Sequence, residues 1–214
     1  MVDEGEISVC SDFGSSASEL ATCQRGVGIG DRHELVALEL RGEPARLGSA
    51  FEQAVGVPLA SLHAVEADGA WWCPVAPDRV LALCEPPERP AVTAILDEIA
   101  AVVEGISWSD VSADYEALAI VGPGSGRLLE GASAGESDGL PDGGCRGVHL
   151  AAGLATLIHQ APTQFLALVP RSQAVSAWRA LAAAGDGLGL GYVGRHALDA
   201  FAISARTQAR QARG

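Results

Sequence analysis

The 214-residue chain contains no lysine, and its 14 basic residues are all arginine. Without lysine the chain cannot supply the phosphate-binding amine of a P-loop, nor the amine that forms Schiff bases. The 27 acidic residues give a net charge of −13. Because so acidic a surface repels nucleic-acid phosphates and anionic lipids, neither is an expected partner.

Cysteine is scarce, and the five residues (Cys10, Cys23, Cys73, Cys84 and Cys145) form no C-x-x-C pair. Zinc ligands normally come in such close pairs, so we expect free buried thiols in a reducing compartment. The N-terminus is acidic where a secretory signal is basic, and no apolar run approaches the ~20 residues that span a bilayer. These features predict a soluble, cytoplasmic protein.

Patterns that carry catalysis are missing as well. The five histidines are isolated from one another, so no two of them are spaced to lie on one helical face as metal ligands. The glycine-rich stretch that begins at Gly122 places Arg127 where a dinucleotide fingerprint needs its third glycine, which predicts a structural turn. A second match, from Gly189 to Gly194, follows a predicted helix and is interpreted as a connector. We therefore predict no catalytic, cofactor-binding or metal-binding residues in this chain.

Apolar residues make up 48% of the chain, which is enough for a globular core. The acidic, serine-rich residues 1–24 are predicted to form a flexible arm. Residues 25–194 are predicted to form a single domain, and residues 195–214 a C-terminal helix or tail, either docked on an acidic partner or solvated.

Within the domain one order of elements occurs twice, with halves at about 25–105 and 106–194. The first half has a strand, a helix, a hairpin and two helices, at residues 35–41, 44–55, 62–75, 77–84 and 91–103. The second half has a strand, a helix, a hairpin and a helix, at residues 115–121, 125–130, 154–169 and 173–184. Closing strands are predicted at residues 107–111 and 187–192. This order predicts an α+β fold of duplicated ferredoxin-like (split βαβ) halves.

Two adjacent tryptophans, Trp71 and Trp72, lie in the first predicted hairpin. Neighbouring strand residues point to opposite faces, so one tryptophan enters the core and the other lies outside. The outer ring is either a candidate anchor for a partner or is covered by a helix of the same chain.

Several segments resemble a known family. The stretch with Trp71, Trp72, Pro77 and Asp78 resembles its motif "alwlgPdewLl". The stretch with Arg171, Ser172 and Trp178 resembles "f.l.v.RS.A..lw", and residues 110–112 and 122–129 resemble the "DvS…GP.a..lL" of aminomethyltransferase-like, folate-binding domains. Over residues 25–192 the chain resembles the gamma subunit of heterotetrameric sarcosine oxidase. The candidate family-motif or interface positions are therefore Trp71, Trp72, Pro77, Asp78, Arg171, Ser172 and Trp178.

The resemblance implies a non-catalytic gamma subunit that assembles with alpha, beta and delta subunits. Those partners are expected to carry NAD, FAD, FMN, zinc and tetrahydrofolate, and none of these is expected in this chain. The complex would oxidise sarcosine, or a related N-methyl amine, to glycine and pass the one-carbon unit to tetrahydrofolate.

Two alternatives stay open. In the first, the chain is a free-standing, small folate-binding aminomethyltransferase-like protein. Such enzymes carry an Asp-Asp at the place that corresponds to residues 153–157, and these residues contain no carboxylate. The third hypothesis is an unrelated binding module that uses Trp71 or Trp72.

Overall fold

A computed structural model describes residues 12–211 of the chain, and the side chains as far as Ala205. Over these residues it has an α+β fold with six α-helices and two β-sheets. The helices are Ser16–Arg25 (α1), Pro44–Val55 (α2), Arg89–Val102 (α3), Ser125–Ala132 (α4), Ala174–Ala184 (α5) and Arg195–Gln211 (α6).

Eleven strands are present in the described part of the chain. The first six are Val27–Asp31 (β1), Val36–Arg41 (β2), Val65–Ala67 (β3), Ala70–Ala76 (β4), Arg79–Cys84 (β5) and Ser107–Asp110 (β6). The other five are Tyr115–Val121 (β7), Cys145–Leu150 (β8), Gly153–Ala161 (β9), Gln164–Pro170 (β10) and Leu190–Tyr192 (β11).

The strands form a five-stranded sheet of order β3-β4-β5-β2-β6 and a six-stranded sheet of order β11-β1-β7-β10-β9-β8. In both sheets the strand that precedes a helix (β2 or β7) is separated from the later strand (β4 or β9) by an antiparallel strand (β5 or β10). Both halves therefore have the strand order of a split βαβ unit.

The two sheets pack face to face. Small and aliphatic side chains from both fill the space between them: Ala37, Cys73, Leu81 and Leu83 from one, and Ala117, Ile158, Leu166 and Leu168 from the other. Helices α2 and α3 cover the outer face of the five-stranded sheet, and α4 and α5 cover that of the six-stranded sheet. The core is thus a sandwich of two sheets between two helical layers.

Helices α1 and α6 cover the remaining inner surface of the wider sheet. Ala117, Ala119 and Val121 alternate along β7 and so share one face. Ala117 meets the opposite sheet, whereas Ala119 and Val121 meet α1 and α6. The two terminal helices therefore lie beside the smaller sheet, against the same face that it covers.

Three sequence predictions need correction. Residues 77–84 were predicted to be helical, but β5 is a strand that pairs with both β2 and β4. Every residue from Val80 to Cys84 is buried, because alternate side chains enter the two cores on either side of the sheet. In its sheet β5 therefore occupies the position that β10 occupies in the other.

Residues 1–24 were predicted to form a flexible arm, but part of this segment is a packed helix. Residues 1–11 lie outside the described part, but α1 begins at Ser16 and is capped by the Ser15 side chain, which accepts from the Ser18 N–H. Its Cys23 is fully buried against α6 and the six-stranded sheet. The helix was not predicted because the segment has low overall hydrophobicity and its apolar residues form only a narrow stripe.

The third correction concerns the end of the second half. The segment predicted at 187–192 contains β11, but β11 pairs with β1 and not with β7. The place beside β7 is taken by β1, which returns from the N-terminal part of the chain. The C-terminal segment is helical through Gln211 and packs on the chain's own sheet.

Within residues 12–211, the helices are all too short or too polar to cross a membrane.

Candidate functional site

A cavity with a volume of about 620 Å³ is lined by residues of both sheets. Its walls come from elements far apart in sequence: β7 and β10 of one sheet, β4 and β5 of the other, and α6. The turn between β9 and β10, residues 160–164, completes the wall. A cavity of this size can hold a small organic molecule.

The cavity lining is apolar with a few polar groups. Trp71, Leu83, Val121, Phe165, Leu166 and Leu198 are its large apolar side chains. The polar lining side chains include Glu66, Gln160 and Gln164. Apolar walls with a few hydrogen-bonding groups are typical of ligand sites.

Two of the three charged side chains that line the cavity, Arg32 and Glu85, are ion-paired with each other. Arg32 forms ion pairs with Glu34, at 2.6 Å, and with Glu85. Arg195, in the first turn of α6, lies 3.4 Å from Glu85 and 3.5 Å from Asp199. Burial alone would lower the pKa of Arg32, but its contacts with Glu34 and Glu85 raise that pKa above the usual value. The network holds α6 against the end of β5. Arg32 stays charged, and its guanidinium is occupied by the ion pairs with Glu34 and Glu85.

A second polar cluster lies at the start of β7, outside the cavity lining. The Asp31 carboxylate accepts from the His33 backbone N–H at 2.8 Å and lies 2.9 Å from His33 Nδ1. Burial, followed by the contact with Asp31, raises the pKa of Glu116, whose carboxylate lies 3.7 Å from Arg171. His33 also borders a void of about 10 Å³, room for one water molecule.

This cluster was not found in the sequence, because His33 lies in the turn between β1 and β2 while Glu116 lies on β7, and no spacing signal links them. Its carboxylates and imidazole face each other and none of them lines the large cavity. The groups that resemble acid–base machinery are thus separated from the space where a ligand would fit.

The structure places the two candidate tryptophans on opposite faces of β4, as the alternation predicted. Trp72 is 0% exposed, stacks edge-on against Phe51 at 5.1 Å, and donates from Nε1 to the Ala67 carbonyl at 3.1 Å. It has no surface to offer a partner. Trp71 is half-buried between the sheets and borders the cavity. The outer ring is covered by the chain's second sheet and not by a helix.

Pro77 and Asp78 form the exposed turn between β4 and β5. Arg171 donates to the Ala113 carbonyl at 2.9 Å and to the Tyr115 carbonyl at 3.1 Å, so it joins the start of α5 to the start of β7. Its neighbour Ser172 is exposed. The motif that contains Arg171 therefore has a structural explanation.

Trp178 packs against the core beneath α5, with its ring 5.6 Å from that of Tyr192. Tyr192 is 50% exposed on edge strand β11. Together they form an aromatic pair, open to solvent on one side, that combines rigid apolar surface with a polar hydroxyl. Such pairs suit protein interfaces.

Among residues 12–211, no three His, Cys, Asp or Glu side chains are gathered to hold a metal ion. Cys23, Cys73, Cys84 and Cys145 are free and buried. Burial raises the pKa of Cys23 and of Cys84 to about 11, so both stay protonated at neutral pH. These buried thiols are poor nucleophiles in the folded chain.

No family model and no curated protein sequence matches the chain. Solved structures do match. A chain of the heterotetrameric sarcosine oxidase from Corynebacterium sp. U-96 is 21% identical with a TM-score of 0.64, and the match covers 82% of this chain and 93% of that one.

The glycine cleavage system aminomethyltransferase T from Bartonella henselae is 16% identical with a TM-score of 0.70. That match covers 86% of this chain but 52% of the enzyme, so the chain spans about half of its length. At these identities the likeness concerns the fold. The chain has the aminomethyltransferase-like fold that these two proteins share.

Proposed function

We propose that this chain is a non-catalytic gamma subunit of a heterotetrameric oxidase for sarcosine or a related N-methyl amine, assembled with alpha, beta and delta subunits. The observation that carries the proposal is the match to an oxidase chain over 82% of this chain and 93% of that one. The match therefore extends over most of both chains.

The distribution of reactive groups supports a structural role. Arg32 and Glu85 at the cavity wall are ion-paired, and the His33 cluster does not reach the cavity. The proposal assigns FAD, FMN, NAD, zinc and tetrahydrofolate to the partner subunits, and it places the complex in the cytoplasm. This chain would then supply packing surface to the assembly that degrades sarcosine.

We propose also that its two halves are duplicated ferredoxin-like units. The common strand order supports this, as do the paired positions of α2 with α4 and of α3 with α5. Each half also has an extra edge strand, β3 or β8, which precedes and pairs with β4 or β9.

For the partner contact we propose the surface around Trp178 and Tyr192. The exposed Val175 lies one helical turn before Trp178 on α5 and extends this surface. An aromatic pair beside an exposed aliphatic residue gives an interface the rigid apolar centre that stable complexes need.

Co-expression with the alpha, beta and delta subunits of a sarcosine oxidase tests the proposal, with gel filtration as the measurement. We expect one peak that contains all four chains, and loss of this chain from that peak with Val175→Arg. Val102→Arg is the matched control, because Val102 is also 64% exposed but lies on α3. A wild-type chain that elutes as a monomer apart from the other subunits contradicts the proposal.

The cavity favours a second candidate, a folate-binding protein that works alone. Its volume of about 620 Å³ and its apolar wall with Trp71 would accept a pterin ring. Titration with tetrahydrofolate tests this candidate, with the quenching of tryptophan fluorescence as the measured signal. Saturable quenching that Ala119→Trp abolishes by filling the cavity would favour it, and no saturable change would exclude it.

A further inference from the structure

Two cysteines from different halves of the chain meet in the space between the sheets. Cys73 lies on β4 of the five-stranded sheet, and Cys145 begins β8 of the six-stranded sheet. Both are 0% exposed and belong to the core that the two inner faces share. The other described cysteines, Cys23 and Cys84, lie in separate cores.

The two side chains interact in this core, where Cys145 adds to burial in raising the pKa of the Cys73 thiol. Strands β4 and β8, which carry the two cysteines, have Cα atoms within 8 Å of each other, and a disulfide requires its own two Cα atoms to lie within about 7 Å. Cys73 Sγ also lies 3.7 Å from the Trp71 carbonyl oxygen.

The backbone holds this contact in register. The Cys145 N–H donates to the Leu62 carbonyl at 2.8 Å, and the Ala64 N–H donates to the Gly143 carbonyl at 2.7 Å. The start of β8 is therefore tied to the segment that leads into the first hairpin, and these bonds hold the two strands that carry the thiols in register.

We propose that Cys73 and Cys145 are a redox modification site, a thiol pair that closes into a disulfide between the two sheets and is protected from oxidants while the sheets are packed. With oxidised glutathione as oxidant, one thiolate attacks its disulfide, releasing a glutathione thiolate and forming a mixed disulfide. The second cysteine thiolate then displaces the other glutathione. The two cysteine protons are released and two electrons pass to glutathione.

Burial explains the protection. The pKa of Cys73 is raised well above 9.0, first by desolvation and then by the neighbouring Cys145. Since the thiolate is the attacking species, the packed sheets suppress the first step. The bond would enclose about 70 residues and would restrict separation of the halves once formed.

The experiment compares never-unfolded protein with protein refolded from urea, both in a glutathione redox buffer at pH 8. A Cys10→Ser background removes the cysteine that lies outside the described residues. We expect the refolded monomer to lose two hydrogen atoms in mass and to give a peptide that joins Cys73 to Cys145. The never-unfolded protein should stay reduced over the same time.

Cys84→Ser should leave the cross-link intact, whereas Cys73→Ser should abolish it. A refolded monomer in which both thiols stay reduced, while a reference dithiol in the same buffer is oxidised, overturns the proposal. Equal rates of cross-linking in never-unfolded and refolding protein overturn the protection by packing.

Discussion

Glu19 and Gly194 are joined by a 2.7 Å hydrogen bond from the Gly194 backbone N–H to the Glu19 carboxylate. The other carboxylate oxygen accepts from the Phe13 N–H at 2.6 Å. Gly194 immediately precedes α6, so a side chain of α1 holds the entry to the C-terminal helix. This contact is one reason that two segments predicted as arm and tail pack as a unit.

Glu19→Ala is therefore predicted to loosen both terminal helices. The buried carboxylate accepts two backbone N–H groups, and leaving those donors unpaired costs about 1–3 kcal/mol. Urea unfolding measures the change in free energy, with the exposed Glu98→Ala as a control expected to change it little. Equal effects of the two substitutions would refute this role for Glu19.

The adjacent tryptophans should differ in their effect on stability. Trp72 is fully buried against Phe51, so Trp72→Ala should cost about 3–5 kcal/mol. Trp71 borders the cavity, and Trp71→Ala should cost clearly less, because less packing is lost there. Chemical denaturation of both variants tests the ranking. A larger loss for Trp71→Ala would mean that the two faces of β4 are assigned wrongly.

Arg171→Ala should destabilise the junction between α5 and β7 by about 1 kcal/mol, since two carbonyl contacts to an exposed guanidinium are lost. Arg171→Lys should recover only part of this, because one ammonium does not reproduce the two-nitrogen geometry. Thermal unfolding provides the measurement, and the exposed neighbour substitution Ser172→Ala serves as its control. Full recovery by lysine would show that charge alone matters here.

Glu116 gives a pH dependence of defined sign. Its pKa is raised above the ordinary value of 4.5, so the folded state favours the protonated carboxyl. The stability that this provides is present below pH 4.5 and is lost as pH rises through the raised pKa. Asp31 strengthens the shift, whereas Arg171 and His33 oppose it.

Glu116→Gln should therefore gain stability relative to the wild type as pH rises through that window, and the two should converge at lower pH. Urea unfolding at a series of pH values measures the difference. A difference that does not change with pH, or one that favours the wild type increasingly at higher pH, would refute the assignment.

Much of the fold could be predicted from local patterns. The alternation around Trp71 and Trp72 correctly predicted a strand with two different faces, and the hairpin predicted at residues 62–75 is present as β3 and β4. The helix after Pro44 was also predicted to within its observed bounds, Pro44–Val55. Each of these features depends on neighbouring residues alone.

The wrong or missing predictions concern features whose structure depends on contacts between residues far apart in the sequence. β5 was taken for a helix because a strand buried on both faces has no alternation. β1 was missed because Gly28 and Gly30 weaken its strand pattern. Glycine is needed at these two positions because Val193 and Leu198 lie too close to leave room for a side chain. The cavity joins β4, β10 and α6, so no short segment of sequence could indicate it.

We propose that this chain supports catalysis by partner subunits and performs none itself. The most direct measurement is sarcosine-dependent oxygen consumption and flavin absorbance of the purified chain, alone and then mixed with alpha, beta and delta subunits. We predict no turnover and no flavin for the chain alone, and a higher yield of active complex when it is added. Oxidation of sarcosine by the isolated chain, or its purification with stoichiometric flavin, would contradict the account.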